Sequence, residues 1–200
     1  MNQVTRERYL PPSDLPLPSL QPVLSTPRLA LRPFTPDDAA EVQRLAGDRD
    51  VAATTRLIPH PYPDGLAEAF IRSLPEQYEH GKGATFAIAL TDGALIGAIS
   101  LAFHWEDQHA EMGYWVGKPY WNRGFCTEAA RRILEFGFGP LKLSRVFANY
   151  LANNPASGRV LAKLGMRQEG CLRQHRLKNG RFEDLVLCGI LAAEFPLARK

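Results

Sequence analysis

Two hundred residues, 45% of them hydrophobic and 22% charged, suit one domain with a sizeable core and room for a short tail. A net charge of +3 is too small to argue for direct nucleic-acid binding, and no run of about 18 apolar residues exists to cross a membrane. Cys126, Cys171 and Cys188 are odd in number and widely spaced; they give neither a disulfide framework nor a metal-ligand spacing, which makes a reducing, cytoplasmic setting the expectation.

Residues 1–23 carry Pro11, Pro12, Pro16, Pro18 and Pro22. Such a stretch prefers extended backbone and cannot pair as a central strand, so it reads as an arm ahead of a domain spanning 24–200. Arg6, Glu7 and Arg8 precede prolines rather than an apolar core, which is not a signal peptide. Residues 26–34 alternate as a strand. Thr35-Pro36-Asp37-Asp38 then reads as a helix start, with a hydroxyl cap, proline in the first turn and acids near the positive end of the dipole. Ala39, Val42, Leu45 and Ala46 give that helix its apolar face. Residues 47–63 read as a loop with three prolines. A second helix is expected from Asp64 to about Tyr78, buried through Leu66, Phe70, Ile71 and Leu74, with Pro75 breaking or kinking it near its end.

Residues 84–90 and 94–103 are expected strands joined by Thr91-Asp92-Gly93. A strand over 109–117 follows, then a turn segment carrying Gly124, then a helix to about Phe138 that Gly137, Gly139 and Pro140 stop. Residues 145–151 form the next strand. Asn154-Pro155 opens a helix with an apolar stripe at Ala156, Val160, Leu161 and Leu164, ended by Gly165. A long hairpin over 166–177 and 181–191 turns at Lys178-Asn179-Gly180. Strands and helices mix without strict alternation, so the class is α+β around a mostly antiparallel sheet.

The chain is organised around residues 109–138. A strand, a glycine turn and a helix start make a phosphate site, because the first helical turn presents unpaired N–H groups and Gly124 admits close backbone approach. There is no Gly-Lys-Ser/Thr for a P-loop, and Gly124 is the one glycine of the turn, so the dinucleotide fingerprint is absent too. The stretch Glu111-Met112-Gly113-Tyr114-Trp115, then Tyr120-Trp121-Asn122-Arg123-Gly124-Phe125-Cys126-Thr127-Glu128-Ala129, resembles the acetyl-CoA loop of the GNAT N-acetyltransferases. It is most similar to the RimJ/RimL-type branch. Asn122 stands in place of a usual glycine, and Cys126 in place of alanine or glycine; Asn tolerates left-handed backbone and Cys is small, so neither blocks a phosphate. Thr26 through Asp38 and Asn154 through Met166 also resemble that branch.

The resemblance implies the GNAT fold, with strands 109–117 and 145–151 parallel and splayed. It implies acetyl-CoA as co-substrate, no metal, and direct transfer of acetyl to an amine. Pantetheine would lie on the unpaired backbone of Tyr114, Trp115 and Val116. The pyrophosphate would take the N–H groups of Asn122, Arg123, Gly124, Phe125, Cys126 and Thr127, with Arg123 an additional charge contact. Glu111 is the candidate base, on a strand face shared with Gly113 and Trp115. Ser157 is the candidate proton donor to the thiolate, and Asn154 a cofactor contact that is equally a helix N-cap. Glu128 reads as a structural acid at a helix N-terminus and Cys126 as a small loop residue, not a nucleophile. The five histidines are scattered, His104 nearest the acceptor side.

The acceptor is a primary amine, either a protein N-terminal α-amine or a small molecule. Arg173, Arg176 and Arg181 hint at an acidic one. A non-catalytic acyl-CoA-binding module and transfer of a longer acyl group are the alternatives, and exposed strand or hairpin edges leave a homodimer open.

Overall fold

The computed structural model describes residues 17–196; most of the proline-rich arm, residues 1–16, lies outside the described residues. Residues 17–23 lie against the domain. Gln21 Nε2 donates to the Thr85 carbonyl at 2.8 Å and Tyr78 Oη donates to the Pro18 carbonyl at 2.8 Å.

Eight strands form one sheet in the order β1-β2-β3-β4-β5-β6-β8-β7. They are β1 (Leu24–Ser25), β2 (Leu29–Arg32), β3 (Gly83–Leu90), β4 (Leu95–His104), β5 (His109–Val116), β6 (Arg145–Leu151), β7 (Arg167–Lys178) and β8 (Arg181–Leu191). The helices are α1 (Ala39–Ala46), α2 (Arg49–Thr54), α3 (Leu66–Glu79), α4 (Phe125–Phe138) and α5 (Pro155–Lys163). Every strand pair is antiparallel except β5 with β6. That exception opens the sheet. β5 and β6 are in register only at His109–Arg145, Ala110–Val146 and Glu111–Phe147. Beyond Glu111 the two strands part, and the β6-facing backbone of Met112–Val116 is left unpaired in the sheet.

Period-two alternation sends the two faces of β3 into two cores. Phe86 and Ile88 pack with α4, where the Phe86 and Phe136 rings meet edge-on at 5.9 Å. Ala87 packs with α1 and α3 through Ala39, Val42, Ala46, Ala67 and Ile71. A sheet covered on both faces holds the strand ends around the cleft rigidly.

Three local expectations are corrected. Residues 47–63 are not all loop, since α2 spans Arg49–Thr54 with Asp48 as its cap, accepting from the Asp50 N–H at 2.8 Å. Pro75 does not break α3, which runs on to Glu79. A mid-helix proline costs about 3 kcal/mol, and burial of Ile71, Leu74 and Tyr78, each worth about 1.5–3 kcal/mol, outweighs it. Gly137 does not stop α4 but lies within it; a Cβ there would come 3.4 Å from Leu143 and 3.5 Å from Leu101, so the glycine sits where helix and sheet press together. Gly139 is the cap.

Among the described residues Asp38 is the buried charged side chain, 7% exposed. It accepts from Arg32 at 2.7 and 2.8 Å and from the Thr35 N–H at 2.8 Å. Burial alone would push its carboxyl up; the Arg32 and Thr35 hydrogen bonds outweigh that and hold it below the usual carboxylate range. Asp38→Asn is expected to lower the unfolding free energy by about 2 kcal/mol, read from urea denaturation at pH 7. Because the folded carboxyl titrates lower than the unfolded one, this contribution is full above about pH 4 and is lost as pH falls further, so the variant's deficit should shrink in acid. A deficit independent of pH would show that the lost geometry, not the charge, matters.

Candidate active site

Where β5 and β6 part, a cavity of about 830 Å³ opens, within the range of small-molecule sites. It runs from Asn122, Gly124 and Thr127 at the start of α4, past Tyr114–Val116 on β5 and Asn149–Leu151 on β6, to α2 and α3. A second groove of about 500 Å³ lies outside the α4 start, lined by Gly124, Thr127, Arg131, Arg132 and Lys163.

The turn into α4 presents backbone donors to the cavity. Asn122 adopts φ 60° and Gly124 φ 79°, so the asparagine that stands where glycine is usual takes the left-handed backbone that it tolerates. The first intrahelical bond runs from Glu128 N to Gly124 O at 3.0 Å. Among the described residues, no protein acceptor engages the N–H groups of Asn122 through Thr127. Six orphan donors thus converge at the positive end of a 14-residue helix, an arrangement that can hold an anion.

Glu128 is occupied elsewhere. Its carboxylate accepts from Thr26 Oγ1 at 2.6 Å, Arg28 Nε at 2.6 Å and the Arg28 N–H at 3.1 Å. Against the effect of burial, these bonds hold its carboxyl below the usual range. Arg28 also donates to the Arg123 carbonyl at 3.1 Å, so the β1–β2 turn clasps this donor turn from outside. The Arg123 guanidinium lies 5.9 Å from the Tyr120 ring. Phe125 is buried. Burial pushes the Cys126 thiol up to about 12, which leaves it protonated and a poor nucleophile.

At the far wall, Tyr114 Oη and Ser157 Oγ are 2.8 Å apart. Burial pushes the Tyr114 phenol well above its ordinary value, with the Ser157 bond pulling partly back; the phenol therefore stays protonated and orders the serine hydroxyl. Asn154 caps α5, its Oδ1 accepting from Ser157 N at 3.1 Å while its Nδ2 donates to the Thr54 carbonyl at 3.0 Å. Both ends of that amide are engaged by protein, tying α5 to the end of α2. The Trp115 side chain packs with the α1–α3 core, and Val116 O accepts from Trp121 Nε1 at 2.6 Å.

Glu111 sits at the last paired position of β5. Its Oε1 accepts from Asn149 Nδ2 at 2.7 Å and lies 2.9 Å from Arg56 Nη1. Arg56 Nη1 also donates to Asn149 Oδ1 at 3.2 Å. Arg56 and Asn149 do not stand out in the sequence. Asn149 had a signal, since it lies two residues beyond Phe147, the parallel partner of Glu111; Arg56 lies in the stretch read as loop. His104 is exposed and meets His109 edge-on at 4.8 Å, with Phe147 5.4 Å from His109, on the strand ends beyond Glu111. Arg173 and Arg181 are exposed; Arg176 is half-buried on the hairpin.

Residues 28–167 match the model of the acetyltransferase (GNAT) domain. The chain is 32% identical over 174 residues to the uncharacterized N-acetyltransferase YoaA of Bacillus subtilis (strain 168), covering 85% of this chain and 97% of that one. It is 26% identical over 147 residues to the [ribosomal protein uS5]-alanine N-acetyltransferase of Escherichia coli (strain K12), covering 70% and 73%. Mycobacterium smegmatis RimJ in complex with CoA-disulfide superposes with a TM-score of 0.73 at 27% identity, over 84% of each chain. The mixed sheet with its one parted parallel pair is the fold of that group, and the family model covers most of the chain: this protein belongs to the GNAT family and is an N-acetyltransferase.

Proposed function

We propose that the enzyme binds acetyl-CoA in the parted strands and transfers its acetyl group directly to a primary α-amine. The observation that carries this is the row of six unengaged N–H groups at Asn122–Thr127, opening onto a cleft with Glu111 on one wall and Ser157 on another. The cradle fits a pyrophosphate, with Arg131, Arg132 and Lys163 in the adjoining groove for further phosphate. The β6-facing edge of Met112–Val116, whose Val116 carbonyl is already taken by Trp121, fits an amide chain that would bond the remaining backbone groups in place of water.

An amine attacks only without its proton. A lysine-type amine titrates near ~10.4 and an α-amine near ~8, so a single carboxylate serves the α-amine better. Glu111 takes that proton, directly or through one water. The nitrogen then attacks the acetyl carbonyl, the C–S bond breaks, and Ser157, held by Tyr114, hydrogen-bonds the departing thiolate and relays to it the second proton lost by the nitrogen. Asn154 acts by placing Ser157. The acceptor is an N-terminal residue of a protein, as in the name of the E. coli relative, or a small molecule.

The test is thiol release from acetyl-CoA against peptides with free N-termini, amino acids, polyamines and aminoglycosides, with calorimetric acetyl-CoA binding on the same sample. Absence of binding overturns the proposal. Ser157→Ala is expected to lower kcat about 10-fold, with acetyl-CoA affinity within about 2-fold, since one hydrogen bond to the leaving group is worth about 1.5 kcal/mol. Tyr114→Phe should cost less, because it only frees the serine hydroxyl to rotate. An unchanged kcat in Ser157→Ala removes the serine from the reaction.

A further inference from the structure

Two properties of the acceptor end of the cleft go beyond what acetyl transfer requires. The base candidate is already paired with a cation, since Arg56 Nη1 lies 2.9 Å from Glu111 Oε1. The cavity that holds the pair also has apolar and aromatic lining on the α1–α3 side, from Val42, Ile58, Tyr62, Leu66, Phe70 and Trp115. Glu111 is the single carboxylate of the cavity lining, against three cations, Arg56, Arg159 and Lys163. Lys163 reaches the phosphate groove beside Gly124 and Thr127, and Arg159 is on the same helix. Arg56 alone stands with Glu111. Neither member of the pair is fully wet, the side chains being 27% and 25% exposed.

From this pair and its walls we infer that the acceptor is a free α-amino acid with a large apolar side chain. The inference rests on the transferase reading above. An α-amino acid carries its ammonium and carboxylate on one carbon, about as far apart as hydrogen-bonded groups. It can dock head to tail on Glu111 and Arg56, ammonium on the carboxylate and carboxylate on the guanidinium. One ion pair is exchanged for two, and no charge is left unpaired in a half-buried site. The planar guanidinium binds a carboxylate through two parallel bonds, a geometry a neutral carbonyl cannot match. The side chain then lies against the aromatic wall. A polyamine or aminoglycoside would bring several cations to one carboxylate and an arginine, and like charges would repel. A peptide N-terminus would offer Arg56 an amide carbonyl in place of an anion.

The chemistry balances without another reactant. The ammonium gives one proton to Glu111, nitrogen bonds the acetyl carbon, the C–S bond breaks, and the second proton leaves with the thiolate. The products are an N-acetyl amino acid and the CoA thiol. The product has lost its cation, and once Glu111 has passed its proton to solvent the carboxylate returns to Arg56, which favours release.

The experiment uses the full chain with acetyl-CoA and measures kcat/KM by thiol release for phenylalanine, leucine and methionine, their amides, a tripeptide beginning with phenylalanine, and spermidine. The amides have the weaker base at nitrogen, so intrinsic deprotonation favours them, and any advantage of the free acid reports recognition of the carboxylate. At least a 10-fold advantage of the best free acid over its amide is expected, carried mainly in KM. Arg56→Gln should collapse that ratio to about one, and Arg56→Lys should restore part of it. Equal or better turnover of the amide, the tripeptide or spermidine by the unmodified enzyme overturns the inference while leaving the transferase reading intact. So does a free-acid advantage that survives Arg56→Gln. Failure to bind acetyl-CoA in calorimetry overturns both, which separates the two failures.

Discussion

Gly124→Glu is expected to abolish acetyl-CoA binding. Two effects add. Gly124 has φ 79°, and a residue with a Cβ pays about 1–2 kcal/mol to stay there. The new carboxylate also lies in front of the N–H groups of Asn122–Thr127. Two like charges about 4 Å apart repel by about 4 kcal/mol at an effective dielectric of 20, on the order of 1,000-fold in Kd. Gly124→Ala separates the two terms, because a Cβ built there meets only Arg28 Nη2, at 3.5 Å. The alanine variant should therefore bind about 10-fold more weakly, from backbone strain alone. Calorimetric titration of both variants is the check; normal affinity in Gly124→Glu means that the phosphates lie elsewhere.

Glu111→Gln should lower kcat on the order of 100-fold, the lower end of what a positioned base contributes, and leave acetyl-CoA affinity unchanged. The substitution is close to isosteric. The glutamine oxygen can still accept from Asn149 and Arg56, which now hold Glu111 at 2.7 and 2.9 Å, so the cleft keeps its shape. Without a base, the rate depends on the fraction of acceptor that is already neutral in solution. That fraction rises as pH approaches the amine's own value, about 8 for a peptide α-amine and higher for a free amino acid. The deficit should therefore be largest at low pH and narrow toward pH 9. A parallel displacement of the two pH profiles would argue that Glu111 only positions Arg56, and unchanged turnover at every pH would remove it as base.

The backbone of the proposed anion site was legible in the sequence because it is local. A strand, a left-handed turn at Gly124 and a helix start are all written within residues 109–128, and α4 ends at Phe138 as its apolar spacing requires. The acceptor site was not legible, because its polar atoms converge from far apart. Arg56 meets Asn149 across 93 residues and Asn149 meets Glu111 across 38, and no local period encodes such a meeting. Helix α2 was missed for a different reason. At six residues it is too short to display a helical period, and only the Asp48 cap announces it. Pro75 misled because propensity speaks for the isolated helix, whereas Ile71, Leu74 and Tyr78 are held by the core. Arg28 and Thr26, which grip Glu128 from 100 and 102 residues away, look in the sequence like ordinary strand-edge residues.

The three residue pairs that join β5 to β6 also bear on how the molecule carries load. A sheet resists shear through the ladder bonds between its strands, and here five strands on one side and three on the other are coupled across a joint only three residues deep. A chain of amides lying in the gap extends that joint along Met112–Val116. Under the proposed binding mode the acyl carrier would be a structural splice as well as a reagent, adding strand-to-strand bonds where the empty sheet has three residue pairs and is otherwise joined by the core packed beneath it.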